Sequence, residues 1–184
     1  MITIFHVSGI TPLASALAKL PKGFHHMNLS YCTLTGKGIH NLMQSLVANR
    51  STATTLTYLN LCGNSMKEES SVQALASFLA QQNVVAILDV SSTDTPIDQL
   101  FNALASGCCM SLTHLNLARN PFSSSRKVKE IPAAFKKFFA GTKVIQYVNV
   151  SHCKLPPDAL KVILITHYYV LASILFHFHI PEGV

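Results

Sequence analysis

Five acid or amide side chains return at one fixed offset in this chain of 184 residues: Asn28, Asn60, Asp89, Asn116 and Asn149. They sit in FHHMNLSYC (from Phe24), LTYLNLCGN (from Leu56), VAILDVSST (from Val85), LTHLNLARN (from Leu112) and IQYVNVSHC (from Ile145). Amides and a carboxylate in a repeated setting offer donors and acceptors at regular spacing, which is the chemistry of recognition. Two places before them come His26, Tyr58, Ile87, His114 and Tyr147; three places after them come Tyr31, Gly63, Ser92, Arg119 and His152. Amides, aromatics and a cation together make adaptable binding contacts. The expected contact set is the Asn/Asp row with Tyr58, His114, Arg119 and Tyr147. The same row suits an amide ladder hydrogen-bonded along its own sheet, and one row can do both.

Covalent and metal chemistry find little support. The nine histidines follow the repeat rather than a nucleophile, and no GxSxG, HExxH, Walker loop or GxGxxG occurs. Neither an enzyme nor a cofactor is expected. Gly36-Lys37-Gly38 opens a helix and reads as turn chemistry rather than a phosphate site. His177 and His179 lack a third ligand nearby, so no metal is expected. Five cysteines, an odd count without a CxxC pair, argue against a disulfide framework. Cys108 and Cys109 end a helix as buried thiols.

Elements must exist to hold such a row. Each stretch is apolar at places one, four and six, with Asn, Cys or Thr at place nine, which is the leucine-rich repeat core. The starts lie 32, 29, 27 and 33 residues apart, enough for a strand, a turn and a helix per unit. Alternation along each strand sends the apolar residues to the core and the others to the concave face. Helical stripes follow at 38–48, 72–82, 97–106 and 133–141, and 9–20 reads as the helix of an earlier unit. Pro96, Pro132, Pro156 and Pro157 stand near helix starts, where the missing N–H costs nothing. The fold class is therefore α/β, a leucine-rich repeat solenoid: a ribonuclease-inhibitor-like horseshoe of parallel inner strands and outer helices. Cys32, Asn64, Asn120 and Cys153, at place nine, are architectural.

The net charge of +6 is local. Residues 1–118 balance, whereas 119–161 carry nine Lys/Arg against Glu130 and Asp158. A solvated helix-and-loop flank is the plain reading; acidic lipid is the alternative partner, and nucleic acid is not expected. The N-terminus lacks a basic n-region, so secretion is not expected. Residues 162–180 contain no Asp, Glu, Lys or Arg and meet the length test for a membrane span. Against that, 157–165 complete a helix, and Leu171, Ile174, Phe176 and His179 fall on places one, four, six and nine. Residues 1–165 are thus read as the array and 166–184 as a divergent hydrophobic tail or a degenerate terminal repeat. A tail-anchored membrane protein and a nonfunctional truncated isoform remain alternatives.

LPKGFHHMNLSYCTLTGKGIHNLMQSLVAN (20–49) and LNLARNPFSSSRKVKEIPAAFKKFFAGTKVIQYVNVSHCKLPPDALKVIL (115–164) resemble the repeats of the CARMIL family, the capping protein, Arp2/3 and myosin-I linkers. The insertion FSSSRKVKEIPAAFKKFF (122–139) resembles that family's long basic loop and FKxFF helix. The resemblance covers about 9–165. It implies a non-enzymatic scaffold of actin assembly, cytoplasmic and associated with the cytoskeleton at the cell edge, with a protein partner on the concave face. Nothing in the chain resembles the family's membrane-binding domain, dimerisation segment, capping-protein motif or proline-rich tail. No capping-protein-binding residue carries over, and the chain is expected to be a fragment or truncated isoform.

Overall fold

The apolar slots at places one, four and six all turn inward; only Phe24, in the first unit, stays half-buried. The computed structural model describes residues 7–124 and 130–166. Five strands, β1 (His26–Asn28), β2 (Tyr58–Asn60), β3 (Ile87–Asp89), β4 (His114–Asn116) and β5 (Tyr147–Asn149), pair in parallel in chain order. Register is strict, so His26, Tyr58, Ile87, His114 and Tyr147 are neighbours, as are the five Asn/Asp residues. The helices are α1 (Val7–Ala18), α2 (Gly36–Ala48), α3 (Arg50–Ala53), α4 (Glu69–Ala80), the single turn α5 (Phe101–Ala103), α6 (Ala133–Gly141) and α7 (Ala159–Thr166). This is a leucine-rich repeat solenoid.

Each strand is short because the side chain at place five bends the backbone. Its Oδ1 accepts the N–H two residues on: Ser30 at 3.0 Å, Cys62 at 2.9 Å, Ser91 at 2.9 Å, Ala118 at 3.2 Å and Ser151 at 3.1 Å. This Asx turn competes with strand continuation. At place eight Tyr31, Gly63, Ser92, Arg119 and His152 all adopt the left-handed conformation, φ 53° to 72°. For a residue other than glycine that costs about 1–2 kcal/mol. Hydrogen bonds between units offset it: the place-eight N–H donates to the next unit's place-seven carbonyl at 2.7, 3.0, 2.9 and 2.8 Å along the first four units.

Place nine alternates. Asn64 and Asn120 serve their own unit and the one before. Asn64 Oδ1 accepts Leu34 N–H at 2.9 Å while its Nδ2 donates to the Leu29 and Leu61 carbonyls, each at 2.8 Å. Asn120 does the same for Thr93 N–H, Thr95 N–H, Val90 O and Leu117 O. The units between carry Cys32, Thr93 or Cys153, and there the next residue (Thr33, Asp94 or Lys154) turns left-handed as well. These assignments match the architectural role expected for all four residues.

Two expectations need correction. The helix expected over 97–106 is a 3-10 turn (Ile97–Leu100), the α5 turn and a π turn (Leu104–Cys108). Only 27 residues separate Val85 from Leu112, the shortest return path in the chain. A 3-10 start covers more distance per residue, and the wide π turn seats Gly107 against the end of α4. Cys108 is buried, but Cys109 beside it is only partly so. Elsewhere α6 spans the expected residues, and its Phe135, Phe138 and Phe139 close around Phe101 with ring centroids 4.6, 5.8 and 5.9 Å away. Such aromatic pairs add about 0.5–1.5 kcal/mol each beyond their burial.

Candidate functional site

The concave face carries two patches separated by Ile87. In the first, the His26 and Tyr58 rings stack at 3.9 Å and 4°, and Asn60 Nδ2 donates to the Tyr58 hydroxyl at 3.2 Å. Asn28 lies exposed at the β1 edge of this patch. In the second, the His114 and Tyr147 rings lie 5.9 Å apart at 26°. Here Asn116, Arg119, Tyr147 and Asn149 line one notch of about 500 Å³, joined by Tyr31 and His152. The remaining member of the expected set, Asp89, sits between the patches with its carboxylate engaged. Its Oδ1 accepts from Ser91 N–H and, at 2.6 Å, Ser91 Oγ; its Oδ2 accepts Asn116 Nδ2 at 2.9 Å.

The Asn/Asp row is thus not a ladder running the length of the sheet. Among the described residues, Asn116 to Asp89 is its one link between neighbouring strands; the common bond is the Asx turn. One side-chain oxygen per residue is held locally, which fixes the orientation of the rest. Tyr31 and His152 stand outside the expected contact set although they occupy the same place-eight row as Arg119. What brings them together is size: Gly63 and Ser92 between Tyr31 and Arg119 leave a gap in that row. A Cβ on Gly63 would collide with the Tyr31 ring. A hydrogen bond with the Cys62 thiol holds the Tyr31 hydroxyl above its ordinary value, while the Arg119 charge pulls it the other way.

Among the described residues no three His, Cys, Asp or Glu side chains gather as a metal site, and no helix is long and apolar enough to cross a membrane. His177, His179 and most of the 162–180 run lie outside the described residues, as do Arg126, Lys127 and Lys129 of the basic segment.

A leucine-rich repeat family model matches residues 108–125. Over 157 residues, 85% of the chain, the sequence is 41% identical to the Homo sapiens capping protein, Arp2/3 and myosin-I linker protein 3. It is 39% identical over 155 residues to the Mus musculus linker protein 2, and 29% identical over 157 residues to protein CARMIL of Dictyostelium discoideum. The chain belongs to the CARMIL family. It spans 11%, 12% and 14% of these three relatives, so it corresponds to a small part of each. In this CARMIL segment the FKxFF run forms the helix expected of it, α6. α6 plugs the third and fourth units with three fully buried phenylalanines, leaving the concave face to the strands.

Proposed function

We propose that this chain is a non-enzymatic protein-interaction module of an actin-regulatory scaffold, contacting its partner through the concave face. The observation that carries this is the Asx-turn row. It holds Asn60, Asn116 and Asn149 in register beside the Tyr58 and Tyr147 rings, on a face that no helix covers among the described residues. Rigid aromatics with oriented amides make binding surfaces of low entropic cost. The names of the relatives, linkers of capping protein, Arp2/3 and myosin-I, support actin assembly as the setting; the lamellipodium and its plasma membrane as the place are part of the proposal. The repeat array is taken as 1–165, with 166–184 as a divergent hydrophobic tail or a degenerate terminal repeat.

The test is binding of the full chain to purified Arp2/3 complex, myosin-I and capping protein by interferometry, with Tyr58→Ala/Tyr147→Ala as control. Binding to Arp2/3 or myosin-I that falls tenfold or more in the double variant is expected. Binding that the double variant leaves unchanged moves the contact surface off the concave face, and no binding to any of the three removes the actin reading. The lack of a capping-protein motif in the sequence makes capping protein the least favoured of the three.

A further inference from the structure

We infer that the notch around Arg119 is a carboxylate-binding site, and that the partner engages it with an Asp or Glu side chain of an extended acidic segment. This rests on the concave-face reading above and names the chemistry of the contact. Arg119 is exposed and projects from the left-handed place-eight turn of the fourth unit. Among the described residues no carboxylate stands within ion-pair distance of its guanidinium; the ion pairs there are Lys67–Asp94 and Lys161–Asp158. The nearest acid on this face, Asp89, has both oxygens turned to Ser91 and Asn116.

Among the described residues no acidic side chain lines the notch around Arg119 or the depression beside it. His152 shares the notch, and both residues also wall an adjoining depression of about 490 Å³ that Lys154 lines. The planar guanidinium fork matches a carboxylate through two parallel hydrogen bonds. Asn149 adds a second donor. Its Oδ1 is fixed by Ser151 N–H, which leaves Nδ2 directed away from the turn. Tyr31 and Tyr147 both line the notch and supply apolar surface for the residues flanking the acid. A notch of this volume suits one or two side chains of a strand-like peptide, and the parallel strand ends beneath it give that peptide a direction. Charge complementarity thus selects an acidic protein segment over a basic one.

The probe is a random dodecapeptide display library selected against the full chain, with enriched peptides then made and titrated. Peptides sharing an Asp or Glu are expected. Their Kd should rise about tenfold or more when that acid becomes its amide, and by as much in Arg119→Asn, with little further loss when both changes are combined. Asn tolerates the left-handed backbone, so this variant removes the charge without disturbing the turn. Peptides that need no acid but lose binding in Tyr58→Ala/Asn60→Ala, outside the notch, overturn the carboxylate site and leave the concave-face reading standing. Peptides indifferent to both variants overturn both. Failure to enrich any peptide, or Arg119-dependent binding to phosphatidylserine vesicles with none to peptides, overturns the site as a protein contact.

Discussion

Asn116 Nδ2 donates to Asp89 Oδ2 at 2.9 Å across β3 and β4, joining the one carboxylate of the row to the amide beside it. The row changes from Asn to Asp at a point where three donors converge: Ser91 N–H, Ser91 O–H and the Asn116 amide. An asparagine there would set its NH₂ against that of Asn116, whose Oδ1 is already held by Ala118 N–H. Asp89→Asn is therefore expected to destabilise by about 1–2 kcal/mol. Urea denaturation measures it, and a double-mutant cycle with Asn116→Ala should show the two changes to be less than additive. The same geometry makes Tyr147→Ala a cleaner probe of binding than Asn116→Ala, which also loses a turn.

Asn120→Ala should be among the most damaging single changes. It strips partners from the Thr93 and Thr95 N–H groups and from the Val90 and Leu117 carbonyls, all within the core of the turns. With buried orphans costing about 1–3 kcal/mol each and partial relaxation, a loss of about 3–5 kcal/mol is expected. Cys153→Ala removes only weak thiol contacts at the equivalent place and should cost less than half as much. Similar denaturation midpoints for the two variants would contradict the alternation of roles at place nine.

Gly107→Ala tests the π turn. A Cβ there would collide with the backbone carbonyls of Leu79 and Gln81, neither of which can swing away as a side chain can. The third unit must then lift from α4 and give up the bond from Asn83 N–H to the Gly107 carbonyl. Overpacking of this kind costs about 1–3 kcal/mol or more. Native-state hydrogen exchange should show the loss first at Asn83 and Ser111, and unchanged protection there would refute the close approach.

Burial pushes the Cys108 and Cys153 thiols up to about 11. Unfolded thiols ionise near pH 8.5, so the folded chain holds these protons more tightly. That contribution is complete below pH 8.5 and disappears as pH rises toward 11, about 3 kcal/mol for each thiol. The denaturation midpoint should drop across that window more steeply in the natural chain than in Cys108→Ala/Cys153→Ala. Under native conditions alkylation should reach Cys109, the partly exposed thiol, well before Cys32, Cys62, Cys108 or Cys153.

The apolar period alone located all five strands, because burial of Leu59, Leu88 or Leu115 depends only on alternation across a pleat. The α6 boundaries were equally legible, between Pro132 and the residues following Gly141. The helix over 97–106 was not, since its path depends on where Gly107 meets α4, a contact 26 to 28 residues away in sequence. The contact set was legible as a face but not as a notch. Periodicity ranks positions by direction and says nothing of φ, so the shared left-handed turn of Tyr31, Arg119 and His152 stayed hidden. Only the structure shows that Gly63 and Ser92 open a space between them.

Tyr, Gly, Ser, Arg and His occupy one backbone geometry at place eight, fixed from behind by an Asx turn and from the side by the next unit's carbonyl. The conformation therefore does not depend on the side chain that happens to be there. Except at Gly63, where any Cβ would meet the Tyr31 ring, a change to a side chain that tolerates this backbone alters what the face presents at little cost to folding, which separates two pressures that usually conflict in an interface. The face can then be altered one unit at a time, each substitution arriving in a prepared orientation.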